Sequence, residues 1–347
     1  MNILQNLNWL LFLTIIIELT PTAILAEHTK KEEHILYHKK DYGSAAILNP
    51  VTYYFNAAFD TIQNPWLFSQ ENYFKKHKIV WNRIKSPITS IKRDGGYKTF
   101  FLDEFASTRV LPNATIHLLG SGYDYRILSE WFDYHEFSYP KLLSAMTLYA
   151  AHFGNEAIES TDKKNISSHD HIADLFFFDL AAIFLFESDK ISKFFHEKLY
   201  FRNWYFQPMF DLRSHHIKNA GTNYILRPKL FGDDISLFLY LGLQLMGGLS
   251  FSTDKGTYLT LAAGTALTDP ITYKGRTTVG IFFDKNDSLL YSLIINGTDN
   301  LKARFNIYPG VLKFKSLRIS LFNAIDHENS IYFGLNLHLP LGVSTHI

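Results

Sequence analysis

The alternation of apolar with polar or small residues through the last third of the chain, from about Thr222 to Pro340 and imperfect only in Thr257–Leu267 and Ser288–Asn296, constrains the fold more than any other feature. Ile235, Leu237, Leu239, Leu241 and Leu243 share one parity; Ser236, Tyr240, Gly242 and Gln244 share the other. The pattern returns as Leu301, Ala303, Phe305 and Ile307 against Lys302, Arg304, Asn306 and Tyr308. It returns again as Ile331, Phe333, Leu335, Leu337 and Leu339 against Tyr332, Gly334, Asn336 and His338. Successive side chains of a strand point to opposite faces, so one wall of this sheet meets an oily medium and the other a wetter one. Arg304, Asn306, Tyr332, Asn336 and His338 are expected on the wetter wall.

Eight or nine strands are expected, near Phe201–Arg213, Thr222–Leu230, Ile235–Phe251, Thr257–Leu267, Arg276–Asp284, Ser288–Asn296, Leu301–Tyr308, Ser316–Phe322 and Ser330–Leu339. Connectors such as Thr253-Asp254-Lys255-Gly256 and Asp284-Lys285-Asn286-Asp287 carry turn chemistry, which favours an up-and-down antiparallel meander. Strands of about nine to eleven residues cross a bilayer when tilted. In lipid only closure removes the edges of such a sheet. The expected fold class is therefore α+β. A helical block over 45–200 precedes an antiparallel β-meander over 201–347, read as a membrane β-barrel of eight or so strands. The alternative is a soluble sandwich, or an open sheet packed on the helices.

The front of the chain supports export. Trp9 to Ile17 is an apolar run, followed by Pro21 and the small residues Ala23 and Ala26, which reads as a signal peptide over 1–26. Residues 27–44 read as a flexible linker, since His28 to Asp41 is charged and aperiodic. Charged residues make up 19% of the chain, below the usual quarter or so, and aromatics 16%. Aromatic girdles of a membrane barrel produce that bias, and so does a large core. A net charge of +1 argues against a nucleic-acid partner. With no cysteine, the chain has no disulfide, zinc thiolate, thiol nucleophile or lipidated cysteine.

Between linker and strands, three helices are expected over about Pro112–His135, Tyr139–Ser160 and Ser168–Phe195. Glu71 to Gly96 reads as mostly irregular. The helices carry polar groups amid Leu, Phe and Ala: His117, Arg126 and Glu130, then His152, Glu156 and Glu159, then Asp170, Asp174 and Asp179. His152 and Glu156 are four apart and share a face, as do Asp170 and Asp174. Buried carboxylates are costly unless paired, protonated or bound to metal. Three readings follow. The groups form a structural polar network. They bind a divalent metal, although no metal-site spacing names the ligands. Or Glu156 or Asp174 acts as general acid or base beside His117 or His152. The candidate catalytic set is His117, Glu156 and Asp174. His152, Glu159, Asp170, Asp179, Arg126 and Glu130 are candidates for a ligand-binding or polar network. Gly120-Ser121-Gly122 reads as a close-packing site, since a nucleophile elbow needs different spacing.

The run from His117 to Leu185 resembles the helical hairpins of the VanZ-like and YfiM-type bacterial envelope families. The shared outline is His117 with Gly120 and Ser121, then Gly154-Asn155-Glu156 with Glu159, then Asp170 and Asp174. It covers about a fifth of the chain, and the long strand array and lack of a lipoprotein cysteine depart from it. The resemblance implies an envelope role and points to Glu156, Asp170 and Asp174. Together these readings make the chain an exported outer-membrane or periplasmic protein with membrane lipid as a partner. The helices would cap or plug a small barrel that is structural or handles lipid or a small molecule. The alternatives are an envelope lipid- or glycan-processing enzyme and a soluble periplasmic binding module.

Overall fold

The computed structural model describes residues 34–59, 72–107, 113–160, 167–229, 232, 234–269, 274–298, 300–314 and 317–347. The expected signal peptide lies outside the described residues. The α+β expectation holds: helices occupy the first part and a large, mostly antiparallel sheet the second.

The helices start where side chains satisfy their free N–H groups. Helix α1 (Pro50–Ala58) opens on Asn49, whose Oδ1 accepts from Val51 N and Thr52 N, with Pro50 in the first turn. Helices α2 (Tyr73–Ile84) and α3 (Pro87–Arg93) fill the stretch expected to be irregular. Its period was masked because one buried position is a lysine. Lys76, Val80 and Ile84 lie four apart on the buried face, and Lys76 Nζ donates to Ile158 O at 2.7 Å. Helix α4 is Gly96–Phe105. A turn of helix at Asn113–Thr115 then widens into a π-turn, Ile116–Gly120, and continues as α5 (Ser121–Tyr134). Helix α6 is Pro140–Glu159. The third expected helix is divided. Helix α7 (His169–Ala173) passes through a π-turn, Asp174–Phe178, into α8 (Asp179–Phe186). A break at Glu187-Ser188 precedes α9 (Asp189–Lys193). Gly120 and Gly122 are close-packing positions: a Cβ would meet the Tyr224 ring at 2.5 Å and the Phe186 ring at 2.2 Å.

The segment expected to be a loose linker is fixed where it is described. Leu36 is buried, and Leu36 N and Tyr37 N donate to Glu130 Oε2 at 2.6 and 2.7 Å. Further on, Gly43 N donates to Pro309 O, which ties the segment to the sheet.

The sheet has thirteen strands, more than expected: β1 (Arg202–Asn203), β2 (Met209–Asp211), β3 (Ile217–Lys218), β4 (Tyr224–Leu226), β5 (Ile235–Leu241), β6 (Gln244–Asp254), β7 (Thr257–Asp269), β8 (Lys274–Lys285), β9 (Ser288–Ile295), β10 (Leu301–Phe314), β11 (Leu317–Asp326), β12 (Ile331–Asn336) and β13 (Gly342–His346). The run Ile235–Phe251, expected as one strand, is two, because the chain reverses at Gly242-Leu243 so that Leu241 faces Leu245. Strand β13 was not expected at all. The order is β1-β4-β5-β6-β7-β8-β9-β10-β11-β12-β13-β2-β3, open at both ends rather than closed. Every pairing is antiparallel except β13 with β2.

Strands β1 to β4 belong to one hairpin. Arg202 faces Ile225 at its base and Phe210 faces Ile217 near its tip. Between them Trp204 N bonds Asn223 O at 2.6 Å and Phe206 N bonds Gly221 O at 3.3 Å, in the same register. One end of this hairpin pairs with β5 and the other with β13, so a single piece of chain lies along both margins of the nine-strand meander β5–β13.

The alternation of the meander is inverted relative to a protein dissolved in water. Thr260 and Asn306 are fully buried, whereas Leu261 is 47% and Phe333 49% exposed. The outward residues form registered rows. One runs Ile235, Phe251, Leu259, Phe283, Tyr291, Ile307, Leu321, Leu335 and Val343, apolar or aromatic on all nine strands. The inward row one residue along runs Ser236, Ser250, Thr260, Phe282, Ser292, Asn306, Phe322, Gly334 and Ser344. Of the residues expected on the wetter wall, Arg304, Asn306, Tyr332 and Asn336 are inward and buried; His338 is exposed past the end of β12. The hairpin packs on the inward side. The Trp204 ring meets those of Phe238 and Phe282, Gln207 Nε2 reaches Ile307 O at 3.2 Å, and the Arg304 guanidinium sits 3.6 Å over the Phe206 ring. Arg227 and Asp284 form a buried two-point ion pair, at 2.7 and 3.1 Å.

Candidate functional site

The helical block gathers histidines and carboxylates from segments far apart in sequence. The π-turn before α5 supplies His117, α6 supplies His152 and Glu156, and the π-turn between α7 and α8, with the first residue of α8, supplies Asp174 and Asp179. Neighbouring helices contribute Tyr53 and Arg83. A π-turn adds a residue to the helical cycle and so rotates one side chain out of the regular pattern, a device frequent at functional sites.

Asp179 is the hub. His152 Nδ1 lies 2.7 Å from its Oδ2, and His117 Nδ1 3.2 Å from its Oδ1. Beyond, Tyr53 Oη lies 3.1 Å from His152 Nε2. On its other side His117 turns Nε2 towards Asp174 Oδ2 at 3.5 Å. Glu156 is bound by His171 Nδ1, and the Nε2 of His171 is contacted by Arg83 Nη1 at 2.7 Å and by Ser160 Oγ at 3.2 Å. Two sets of possible ligand atoms converge within 4.8 Å of one another: His117, His152 and Asp179, and His117, Glu156 and Asp174.

The electrostatics set the two aspartates apart. Burial pushes the Asp179 carboxyl up, but the imidazoles of His152 and His117 outweigh it and hold it down to about 2. Burial raises the Asp174 carboxyl well above the usual range, assisted by the charges of Asp170, Glu156 and Asp179 and opposed by His117. Burial lowers His117, but Asp174, Asp179 and Glu156 together bring it well above an ordinary imidazole. The ground between His117 and Asp174 therefore attracts positive charge.

Of the residues singled out in the sequence, His117, His152, Glu156, Asp174 and Asp179 meet in this centre. Asp170 and Glu159 are half-buried and do not join the convergent atoms among the described residues. Arg126 and Glu130 belong to a different network. Arg126 bonds Glu130 at 2.6 Å, Asp189 at 2.9 Å and His34 O at 2.9 Å, which ties the N-terminal segment to α5 and α9. Sequence reasoning missed Tyr53, Arg83 and His171. Arg83 lies in the stretch read as irregular, and His171 reaches Glu156 on a different face from Asp170 and Asp174. It also missed Asp124 on α5, whose carboxylate accepts from Tyr205 and, at 2.6 Å, from Tyr224, joining the block to the hairpin. Burial pushes Asp124 up to about 7 against the pull of those two hydroxyls and Asn203. A cleft of about 670 Å³ lined by His34, His38, His196, Lys198, Tyr200 and Arg202 among others shares no lining residue with the centre.

Compared with known protein families, with curated proteins and with solved structures, the chain matches none. The likeness to VanZ-like and YfiM-type hairpins rests on the quoted residues alone.

Proposed function

We propose that the chain is an outer-membrane or outer-envelope protein in which β5–β13, completed by the hairpin of β1–β4, forms a small lipid-embedded barrel capped by the helical block. The inverted alternation carries this reading. Exposed apolar patches beyond a few hundred Å² are rare on monomers in water, and the outward rows run across nine strands. Leu237, Leu239 and Leu241 repeat the outward parity above Ile235, so the apolar band is about 20 Å deep along the strand at 3.4 Å per residue. For a strand tilted by about 40°, as in membrane barrels, that run spans about 15 Å of bilayer thickness, within their roughly 25 Å apolar band. The hairpin supports closure, because it occupies both margins that would otherwise leave backbone groups unpaired in lipid. Its side chains fill the inward side, which favours a structural or lipid-handling role over diffusion. No helix of the described residues is long and apolar enough to cross a membrane.

A second reading, an envelope enzyme acting on lipid or glycan, is favoured by the buried His117–Asp174–Asp179 arrangement in the cap. The two are compatible. Expression in a bacterium with two membranes tests the first. Recovery in the outer membrane, with gel mobility that shifts on boiling, is the expected result. Recovery without detergent in the soluble periplasm, with no shift, would overturn it.

A further inference from the structure

We propose that His117 Nε2, Glu156 and Asp174 bind one divalent first-row transition-metal ion, oriented by Asp179 and His171. Arg83 only donates, so the Nε2 of His171 is an acceptor and its proton is on Nδ1, facing Glu156. His152 faces Asp179 Oδ2 with its Nδ1 at 2.7 Å and the Tyr53 hydroxyl with its Nε2 at 3.1 Å. His117 gives its Nδ1 proton to the other oxygen of Asp179. These partners occupy both ring nitrogens of His152 and of His171 and the Nδ1 of His117. The remaining ring nitrogen, Nε2 of His117, lies opposite Asp174 Oδ2 at 3.5 Å. A proton or a metal ion can occupy that position, and coordination to a metal displaces the proton.

The dimensions suit a metal. Ligand atoms about 2.1 Å from an ion at a tetrahedral angle lie about 3.4 Å apart. The third ligand is within reach, since suitable atoms of His117, Glu156 and Asp174 all lie within 4.8 Å of each other. The surroundings fit as well. An imidazole that coordinates through one nitrogen almost always donates its other N–H to a carboxylate, and ligating carboxylates are themselves hydrogen-bonded. His117 with Asp179, and Glu156 with His171, have those two arrangements. Two of the three ligands, His117 and Asp174, come from π-turns on different helices, an independent feature of backbone geometry. One imidazole and two carboxylates without sulfur select zinc, iron(II) or manganese(II) over soft ions. Three protein ligands leave a position for water or substrate, as catalytic sites do. The inference is independent of the membrane reading.

The test uses the full chain in detergent, stripped with chelator and titrated with Zn²⁺ and Co²⁺. Metal content is measured by mass spectrometry and the ligand set by X-ray absorption. The folded wild type is expected to take up one ion, with a single imidazole among oxygen ligands. Glu156→Gln and Asp174→Asn are expected to bind at least tenfold more weakly, and Asp179→Asn about 10–100-fold more weakly, as for outer-shell partners. Glu130→Gln, in the other network, should bind as the wild type does. Absence of stoichiometric uptake by the folded wild type would mean that a proton alone bridges His117 and Asp174, and would overturn the proposal. Two imidazoles in the absorption spectrum would overturn this ligand set in favour of His117, His152 and Asp179. Should Asp174→Asn not fold, the ligand count of the wild type decides.

Discussion

The helical block and the sheet obey opposite burial rules. In the block, Tyr53, Leu128, Leu148, Ala151 and Phe186 are buried, as in any water-soluble core. In the meander, Leu239, Leu261, Phe333 and Leu335 face outward, while Ser236, Thr260, Ser292 and Asn306 are buried. The difference teaches that hydrophobic periodicity reports which residues share a face, whereas which face turns inward depends on what packs there. It also explains how the interior of the sheet can hold Arg227 with Asp284 and Arg304 over Phe206. Buried charges survive only when paired or well solvated by their neighbours, and the hairpin supplies partners there.

The sharpest way to break this contrast is to exchange polarity on two adjacent residues of β7. Leu261→Arg places a charge in the outward wall. In a bilayer it should cost about 2–4 kcal/mol if it lies near the midplane and reduce the fraction that folds into lipid vesicles, read by the heat-dependent gel shift. Thr260→Leu, on the inward side, adds bulk to a filled interior and loses the hydroxyl that meets Ser250 at 2.7 Å. It should cost about 1–3 kcal/mol whatever the medium. Equal tolerance of Leu261→Arg and a surface-loop charge such as Lys255→Glu would end the claim that the outward wall meets lipid.

The joint between the two regions sharpens the comparison through pH. Asp124 is protonated more readily in the folded chain, near pH 7 against an ordinary carboxyl value of 3.8. A raised carboxyl favours folding when protonated. Its contribution is therefore complete below about pH 4 and is lost as the pH rises through about 7. The loss should be on the order of a few kcal/mol, at about 1.4 kcal/mol for each tenfold difference in proton affinity between the folded and unfolded chain. Asp124→Asn should flatten the pH dependence of the unfolding midpoint over that interval. An unchanged slope would remove Asp124 as the titrating group.

How much of this was legible in the sequence differs between the two regions for a physical reason. Strand parity is local, so β7 to β12 could be located from alternation and turn residues. Short or cryptic elements could not. Gly242-Leu243 reverses the chain without a recognisable turn sequence, and β13 is a short strand fixed between β12 and β2, the latter more than a hundred residues earlier. The polarity of the faces was read as a contrast of media, and the side that turned inward depended on the hairpin. In the block, the charged residues at helical spacing were visible, and five of them converge. Their separation into the metal-like centre and the Arg126–Glu130–Asp189 network was not visible, because it depends on how π-turns rotate His117 and Asp174 and on Arg83 and Tyr53 arriving from other helices.

The smallest predicted effect discriminates the media best because its sign changes. The second outward row runs Leu237, Leu249, Leu261, Ile281, Leu293, Phe305, Asn323, Phe333 and Thr345; besides Thr345 at its edge, Asn323 is its polar residue, flanked by Phe305 and Phe333. An amide facing hydrocarbon lacks partners that water would supply, so Asn323→Leu removes a polar group from lipid and adds apolar area to it. In vesicles the substitution should stabilise the fold by about 1 kcal/mol, the lower range for burying an uncompensated amide. In water the same leucine gains nothing from exposure and enlarges an apolar patch, so stability should not rise and self-association should. Reversible unfolding in vesicles reads the first, and sedimentation of detergent-free protein the second. Because Asn323 lies on a strand with both neighbours in register, the substitution leaves the backbone ladder untouched, and a gain in lipid without a gain in water assigns the outward wall to the bilayer through a single side chain.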